Sequence, residues 1–209
     1  MINTVELLGF YGGDTTHAMS AWTSTSRELT DEKKGRINKL LKMLAENGHT
    51  SPFEKSYLHF LVTCDTASHI HLIKHRIGVS VNAESARYKE LKEDKYYIPE
   101  DWPDLWKATL EEHLKNSYGF YHMAVDGLVN IYGMDKKRAK ESARFFLPYA
   151  NQLTLDVGFN FNSFIHFQKL RNKPEAQQEI RQIAQNMLQL VKEIPDNPFK
   201  HSLEAFGYV

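Results

Sequence analysis

Apolar residues recur at helical spacing near the end of the 209-residue chain. The stripe consists of Ile180, Ile183, Ala184, Met187 and Val191. Because these positions share one face of an α-helix, the pattern predicts a helix over 174–191 that is opened by Pro174. A second stripe predicts a helix that begins at Asp31, with Thr30 as its N-cap, and stops at Gly48. Further helices are predicted over 67–76, 105–131 and 136–146.

Two short apolar stretches have the length and residue types of β-strands. Residues 5–11 end at Gly12 and Gly13, which favours a turn, and residues 57–64 are aromatic and partly β-branched. Residues 89–103 are predicted to be a loop that is too short to divide domains. The pattern therefore predicts an α+β fold, a helix-rich single domain over 1–209 with a small mixed or antiparallel sheet.

Composition narrows the classes of partner. Hydrophobic residues make up 42% and charged residues 25%, as in ordinary globular proteins. Lys plus Arg and Asp plus Glu number 26 each, so no net charge draws the chain to nucleic acid or a membrane surface. One cysteine excludes an intramolecular disulfide, and no apolar run has the length of a membrane span. We expect a soluble cytoplasmic protein without nucleic-acid or membrane partners.

The densest group of candidate ligand-binding residues begins at Lys74-His75-Arg76 and continues to Ser85-Ala86-Arg87. Cations mixed with hydroxyl donors suit the oxygens of phosphate and ribose. The alternative is a solvated helix end whose cations complement the helix dipole. Composition alone leaves both interpretations open.

Two more groups carry candidate chemistry. Arg144 lies near the apolar end of a predicted helix, where a guanidinium needs an anion, which is either a ligand or a structural acid. Further on, Asn160, Ser163 and Arg171 are spaced so that they can lie on one face of a helix. Either His166 or Gln168 would lie on the same face. Such a face could bind a heterocycle, or it is a polar surface stripe. The residues thus favour a site for a phosphorylated heterocycle held by arginines.

Neither a metal site nor a glycine-rich nucleotide site is supported by the sequence. His69, His71 and His75 fall close together, but no carboxylate completes an HExxH pattern. No GxGxxG or GxxxxGK[ST] segment occurs. We therefore expect no metal.

Four motifs in order resemble those of flavin-dependent thymidylate synthases. The family signature is Arg-His-Arg, seven or eight residues and then Ser, and here Lys74-His75-Arg76 precedes Ser85 by eight residues. Residues 48–54 (GHTSPFE) are similar to a second family segment, and Ala143-Arg144 with Leu147-Pro148 to a third. The fourth match comprises Asn160 and Leu170-Arg171. Lys74 departs from the family arginine and lacks its bidentate fork.

The resemblance implies a role for each matching residue. Flavin would be bound by Ser51, Glu54, Lys74, His75, Arg76, Asn82, Asn160, Asn162 and His166. The nucleotide dUMP would be bound by His71, Lys74, Glu84, Ser85, Ala86, Arg87, Arg144 and Arg171. His49 would lie near folate and flavin. Arg171 would be catalytic, because a fixed cation beside the uracil favours its ionised form.

The implied reaction converts dUMP to dTMP with 5,10-methylenetetrahydrofolate as carbon donor and with FAD that is reduced by NADPH. The resemblance also implies a homotetramer whose active sites are shared between subunits. Cys64 lies on a predicted core strand outside all four motifs, which fits a route without a cysteine nucleophile.

Further departures leave alternatives open. His71, Asn162, His166 and Glu175 stand where the family commonly has glutamine, arginine, asparagine and histidine. One alternative is a family variant that methylates or hydroxymethylates another uridylate, such as UMP. The other is a nucleotide-binding regulator that does not catalyse.

Overall fold

The structure is a computed structural model that describes residues 2–85 and 93–208. The predicted nucleotide ligands Ala86 and Arg87 lie outside these residues. The chain divides into two compact units. Unit 1 comprises Met1–Thr4, Val62–Leu72 and Asn82–Leu155, and unit 2 comprises Val5–Leu61, Ile73–Val81 and Asp156–Val209. The single domain expected from the sequence stays a prediction.

The described residues are rich in helix and include a small antiparallel sheet, which confirms the predicted α+β class. The strand order is β1-β2-β4-β3. The strands are β1 Thr4–Tyr11, β2 Tyr57–Asp65, β3 Val79–Ala83 and β4 Gln152–Asn160. The helices are α1 Asp14–Trp22, α2 Asp31–Lys34, α3 Ile37–Glu46, α4 Thr66–Ile73, α5 Asp104–Asn130, α6 Lys136–Ala143, α7 Phe161–Arg171, α8 Gln178–Lys192 and α9 Lys200–Ala205. Short 3₁₀ helices span Ser51–Lys55 and Arg144–Phe146.

Helix α8 confirms the predicted apolar stripe, since all five stripe residues are buried. Its start was predicted wrongly. The helix begins at Gln178, and Pro174 lies in the preceding turn, where the Ala176 N–H donates to the Lys173 carbonyl. The first stripe residue is Ile180, so no buried side chain holds residues 174–177 in a helix.

The helix predicted from Asp31 to Gly48 is interrupted. Thr30 is the N-cap, as predicted, and its hydroxyl accepts the Lys33 N–H at 3.3 Å. Helix α2 nevertheless ends before Gly35, and α3 starts at Ile37, the first buried residue of the stripe. A glycine in a helix interior costs about 1 kcal/mol, and no buried residue of α2 offsets that cost.

The predicted strands at 5–11 and 57–64 are confirmed as β1 and β2. The periodicity assigned no element to β3, β4, α1 or α9. The helix predicted over 67–76 is shorter in the structure, where α4 ends at Ile73. Lys74-His75-Arg76 therefore lies in a loop and not at a helix end.

Each unit has its own apolar core. In unit 2 the core is aromatic, and Phe53, Phe161, Phe164 and Phe199 are fully buried. In unit 1, Tyr121 of α5 packs with Val125 and Ala143, and Tyr118 of the same helix is also buried. Within residues 2–85 and 93–208, no helix combines the length and apolarity needed to cross a bilayer.

Candidate functional site

A cavity of about 460 Å³ in unit 2 opens beside the basic loop, and we call it the Arg171 cavity. It brings together the loop after α4 and one face of α7. The fold thus joins two of the four sequence motifs. The cavity is lined by Lys74, His75, Arg76, Ile77, Val79, Asn162, Ser163, His166, Leu170 and Arg171.

Gly78 fixes the path of the basic loop against the start of α7. Its carbonyl accepts the Asn160 N–H at 2.9 Å, and the Ser163 hydroxyl donates to the Ile77 carbonyl at 2.7 Å. Gly78 has φ of 65°, and a Cβ there would collide with Nδ2 of Asn160. Only glycine fits both the backbone conformation and this close approach.

Asn160 has a structural task at this junction. Its side-chain oxygen accepts the Ser163 N–H at 2.8 Å and so caps α7. Asn160 is not among the residues that line the cavity. Its predicted contact with flavin stays a prediction.

The alternatives for the polar face of α7 are decided by burial. His166 lines the Arg171 cavity. Gln168 is fully buried and points elsewhere, since its Nε2 donates to the Ala184 carbonyl of α8 at 2.9 Å and its oxygen accepts from Asn172. The heterocycle-binding interpretation therefore applies to His166 and Arg171, and not to Gln168.

The Arg171 cavity combines cations with an apolar wall. Lys74, Arg76 and Arg171 line it, and no carboxylate does. Within residues 2–85 and 93–208, none of the three forms an ion pair with an acid. Cations without a protein counter-ion in a concave site are suited to phosphate or another anion.

The apolar wall was not predicted from the sequence. It consists of Ile77, Val79 and Leu170, and Ile77 is 91% exposed. In the sequence, the isoleucine directly after the basic triplet is the signal that could have indicated it. Such a wall can cover a planar heterocycle while the neighbouring cations hold its charged groups.

A second cavity, of about 600 Å³, lies in unit 1, and we call it the Arg144 cavity. Of the predicted residues it contains Glu84 and Arg144, while Thr66, His69, Tyr149 and Asn151 were not predicted. Burial lowers the pKa of His69, which keeps this imidazole neutral. The complete lining is Thr66, His69, Glu84, Arg144, Leu147, Pro148, Tyr149, Asn151 and Leu153.

The sequence placed Arg144 at an apolar helix end, where burial would make its guanidinium need an anion. Helix α6 ends at Ala143, and Arg144 starts a 3₁₀ turn in which its carbonyl accepts the Leu147 N–H at 3.0 Å. The tighter turn leaves Arg144 exposed, so desolvation does not force it to pair. No described acid forms an ion pair with it either, which leaves its guanidinium available to the Arg144 cavity.

Glu84 is held in place by strand β4. Its N–H donates to the Thr154 carbonyl at 2.9 Å, and its carboxylate accepts the Thr154 N–H at 3.0 Å. These two bonds fix the Glu84 carboxylate at the edge of the Arg144 cavity. Ser85 follows directly, but the remainder of this motif lies outside the described residues.

The remaining predicted residues lie outside both cavity linings. Glu54 is exposed on the 3₁₀ helix and meets Asn162 at 3.5 Å, which connects it to the Arg171 cavity. Ser51 precedes it on the same turn, and His49 is exposed. His71 on α4 and Asn82 on β3 line neither cavity. No group of three or more His, Cys, Asp or Glu in the described part of the chain could hold a metal ion.

Cys64 is unsuited to nucleophilic catalysis. It is fully buried on β2, and burial with the nearby Asp65 charge raises the pKa of its thiol to about 12. A thiol in this state is neither ionised nor accessible.

Comparison of the chain with known proteins identifies its family. Residues 6–195 match the family model of the thymidylate synthase complementing protein, Thy1. The chain belongs to the flavin-dependent thymidylate synthase family. The resemblance stated from the four motifs is thereby confirmed, and so is the prediction that the protein is an enzyme of this family.

Individual relatives agree with this assignment. The flavin-dependent thymidylate synthase of Pseudothermotoga lettingae is 33% identical over 201 residues, covering 91% of this chain and 85% of the relative. That of Clostridium tetani is 33% identical over 187 residues, covering 85% and 74%. Among solved structures, the UMP/dUMP methylase PolB of Streptomyces cacaoi, bound with 5-Br dUMP, is 27% identical with a TM-score of 0.78 and covers 99% of this chain and 97% of its own.

Proposed function

We propose that the protein converts dUMP to dTMP, with 5,10-methylenetetrahydrofolate as the carbon donor and reduced FAD as the hydride donor. The methylene carbon would form a bond to C5 of uracil and break its bond to the folate nitrogen. C5 would lose its proton, and a hydride from the reduced flavin would complete the methyl group. NADPH would supply the electrons that reduce the flavin again. The chemistry of the hydride belongs to the flavin, and the residues of the chain bind, orient and stabilise charge.

The observation that carries this proposal is that this chain, a member of the family, contains the Arg171 cavity. Lys74, Arg76 and Arg171 face a concave surface without a described counter-ion. A bound phosphate and an electron-rich pyrimidine each supply the negative charge that these cations lack.

The residues present fit a flavin. Ile77, Val79 and Leu170 provide an apolar wall for a planar ring, and the cations beside them suit a diphosphate. We propose that Lys74, His75, Arg76, Asn162 and His166 hold FAD, with Ser51 and Glu54 contributing from the neighbouring turn, and with Asn82 and Asn160 as further ligands. His49 would lie near folate and flavin.

We propose that Arg144 and Glu84 belong to the dUMP site together with His71, Ser85, Ala86 and Arg87. Ser85 would bind the phosphate or ribose through its hydroxyl. Arg171 would face the uracil. A fixed guanidinium stabilises the negative charge that develops on the ring.

We also propose a homotetramer with active sites shared between subunits. A chain of 209 residues offers few elements to enclose FAD, dUMP and folate together. Light scattering with simultaneous activity measurement tests this assembly. A fully active monomer would refute it.

The reaction is tested by anaerobic spectroscopy and product mass. Purified protein reconstituted with FAD should be yellow and should bleach with NADPH. With isotopically labelled methylenetetrahydrofolate, one turnover should add the labelled methyl group to dUMP. A flat visible spectrum after reconstitution, or product without label, contradicts the proposal.

A second candidate substrate is UMP, because PolB, a protein of related structure, is a UMP/dUMP methylase. Competition between UMP and dUMP at equal concentration, with products separated by mass, distinguishes the two. The same measurement detects a hydroxymethyl product. We expect dTMP to predominate, and a larger yield from UMP would reassign the substrate.

A further inference from the structure

Arg171 and His75 form a hydrogen bond that determines where the imidazole carries its proton. Arg171 is the last residue of α7, and its Nε–H donates to Nε2 of His75 at 3.1 Å. A guanidinium has only donors and stays protonated, so Nε2 of His75 must accept through its lone pair. In this arrangement His75 is neutral and protonated on Nδ1.

The ring of His75 is supported by the same helix. It meets the Phe167 ring edge-on, with centroids 5.0 Å apart and an angle of 79°, and Phe167 is fully buried. The His166 ring adds a second edge contact at 6.0 Å. Phe167 and Arg171 are four residues apart and therefore share one helix face. The face that supports the imidazole thus also presents the guanidinium to it.

A neutral partner has an electrostatic advantage over an acid. In residues 2–85 and 93–208 no carboxylate forms an ion pair with Arg171, so this hydrogen bond orients it without offsetting its charge. A carboxylate in the same place would cancel part of the positive field that the guanidinium directs at a ligand. The full cationic charge remains available to the Arg171 cavity.

We propose that His75 is a positioning residue for Arg171. By accepting the Nε–H, it aims the two terminal amino groups of the guanidinium at the pyrimidine and restricts the rotation of the side chain. This inference rests on the proposed function and gives His75 a task apart from flavin contact. Orientation fixed before binding avoids the cost of ordering a long side chain during the reaction.

A double-mutant cycle separates positioning from an independent flavin contact. His75→Leu removes the acceptor and should lower kcat at saturating dUMP about tenfold, the size of one hydrogen bond to a charged group. His75→Gln keeps a side-chain oxygen that can accept, and it should recover most of that loss. In the Arg171→Ala background, His75→Leu should cost less than about twofold, since the group it positions is gone.

Flavin affinity is measured for all four variants by fluorescence titration, so that turnover is compared only at saturating FAD. If the effects of His75→Leu and Arg171→Ala multiply, or if Gln is no better than Leu, the positioning role is wrong. If His75→Leu does not fold, His75→Ala, which also removes the acceptor, replaces it in both backgrounds and is judged by the same criterion.

A second readout does not depend on turnover. NMR of protein with ¹⁵N- and ¹³C-labelled histidine should show His75 as the neutral tautomer protonated on Nδ1, and Arg171→Ala should change its Nε2 shift. A tautomer protonated on Nε2 would overturn the inference even if the enzyme is active. Failure of the wild-type protein to make dTMP, with the expected tautomer present, would instead count against the proposed function alone.

Discussion

The Asp14 carboxylate accepts two hydrogen bonds from Ser202, one from its backbone N–H at 2.8 Å and one from its hydroxyl at 2.5 Å. Asp14 also accepts the His201 N–H, so the first helix caps the last one. Since the Ser202 hydroxyl donates to Asp14, its oxygen accepts from Nδ1 of His17 at 2.8 Å. Nε2 of His17 then accepts from the Ser56 hydroxyl at 2.6 Å. One consistent proton arrangement thus satisfies four buried polar residues.

This chain of hydrogen bonds predicts an acid-sensitive stability. Burial lowers the pKa of His17 to about 3 from an ordinary value of 6.5. Below pH 6.5 the unfolded state therefore binds a proton at His17 that the folded state does not bind. The free energy of unfolding consequently falls as the pH drops towards 3. From pH 7 to pH 5 the loss from His17 should be about 2 kcal/mol.

Urea unfolding of wild type and His17→Gln at both pH values measures this contribution. The variant lacks the titrating group, so its stability should change by about 2 kcal/mol less between the two pH values. Burial also raises the pKa of Asp14, so this carboxyl group makes the folded protein more stable as the pH falls towards 3.8, opposite to the effect of His17. Both proteins contain Asp14, so the comparison between them isolates His17. Equal pH dependence in the two proteins would show that His17 can be protonated in the folded state.

Gly78→Ala should destabilise the basic loop more than a matched glycine variant. Gly78 and Gly48 have φ of 65° and 69°, so alanine costs about 1–2 kcal/mol of backbone strain at either position. A Cβ at Gly78 would collide with the Asn160 side chain, whereas nothing lies within 4 Å at Gly48. Thermal unfolding and FAD titration should therefore show a larger loss for Gly78→Ala, and equal losses would contradict the packing argument.

Replacing Arg144 and replacing Arg171 by alanine should change different kinetic constants. If Arg144 binds the dUMP phosphate similarly before and during the reaction, Arg144→Ala should mainly raise KM for dUMP. Arg171→Ala should lower kcat by about 10²-fold, because it removes a cation that matters most as charge develops on uracil. Steady-state kinetics with dUMP measures both.

Arg138→Ala is the control for Arg144. Arg138 lies on α6, and its guanidinium is 3.8 Å from the Glu141 carboxylate, so its loss should leave both constants nearly unchanged. Reduction of flavin by NADPH, measured alone, should survive in Arg171→Ala. Normal turnover with only weaker dUMP binding in that variant would place Arg171 among the phosphate ligands.

Cys64→Ala should retain methylation. The thiol is buried and its pKa is raised to about 12, so it should resist iodoacetamide in the folded protein. The variant should lose about 1 kcal/mol of stability through packing alone. Product formation and urea unfolding check both points, and a folded variant that binds dUMP but makes no dTMP would overturn the flavin route.

Local sequence patterns were sufficient to predict helices and strands that pack one face against the core. The stripe of α8, the Thr30 cap and strands β1 and β2 follow from burial at regular intervals and from one side chain bonded to a nearby N–H. The four motifs in their order were also sufficient to indicate the family. Interactions within a few residues, or a fixed order of motifs, are properties of the sequence itself.

Tertiary structure decided the rest, because those interactions join residues far apart in the chain. Arg171 reaches His75 across 96 positions, and Asp14 reaches Ser202 across 188. The spacing of apolar residues along the sequence does not indicate which distant residues pair. Likewise, spacing placed both His166 and Gln168 on the polar face of α7, and only packing against α8 buried Gln168 and left His166 in the cavity. The exposure of Arg144 depended on a 3₁₀ turn that the apolar residues around it did not predict.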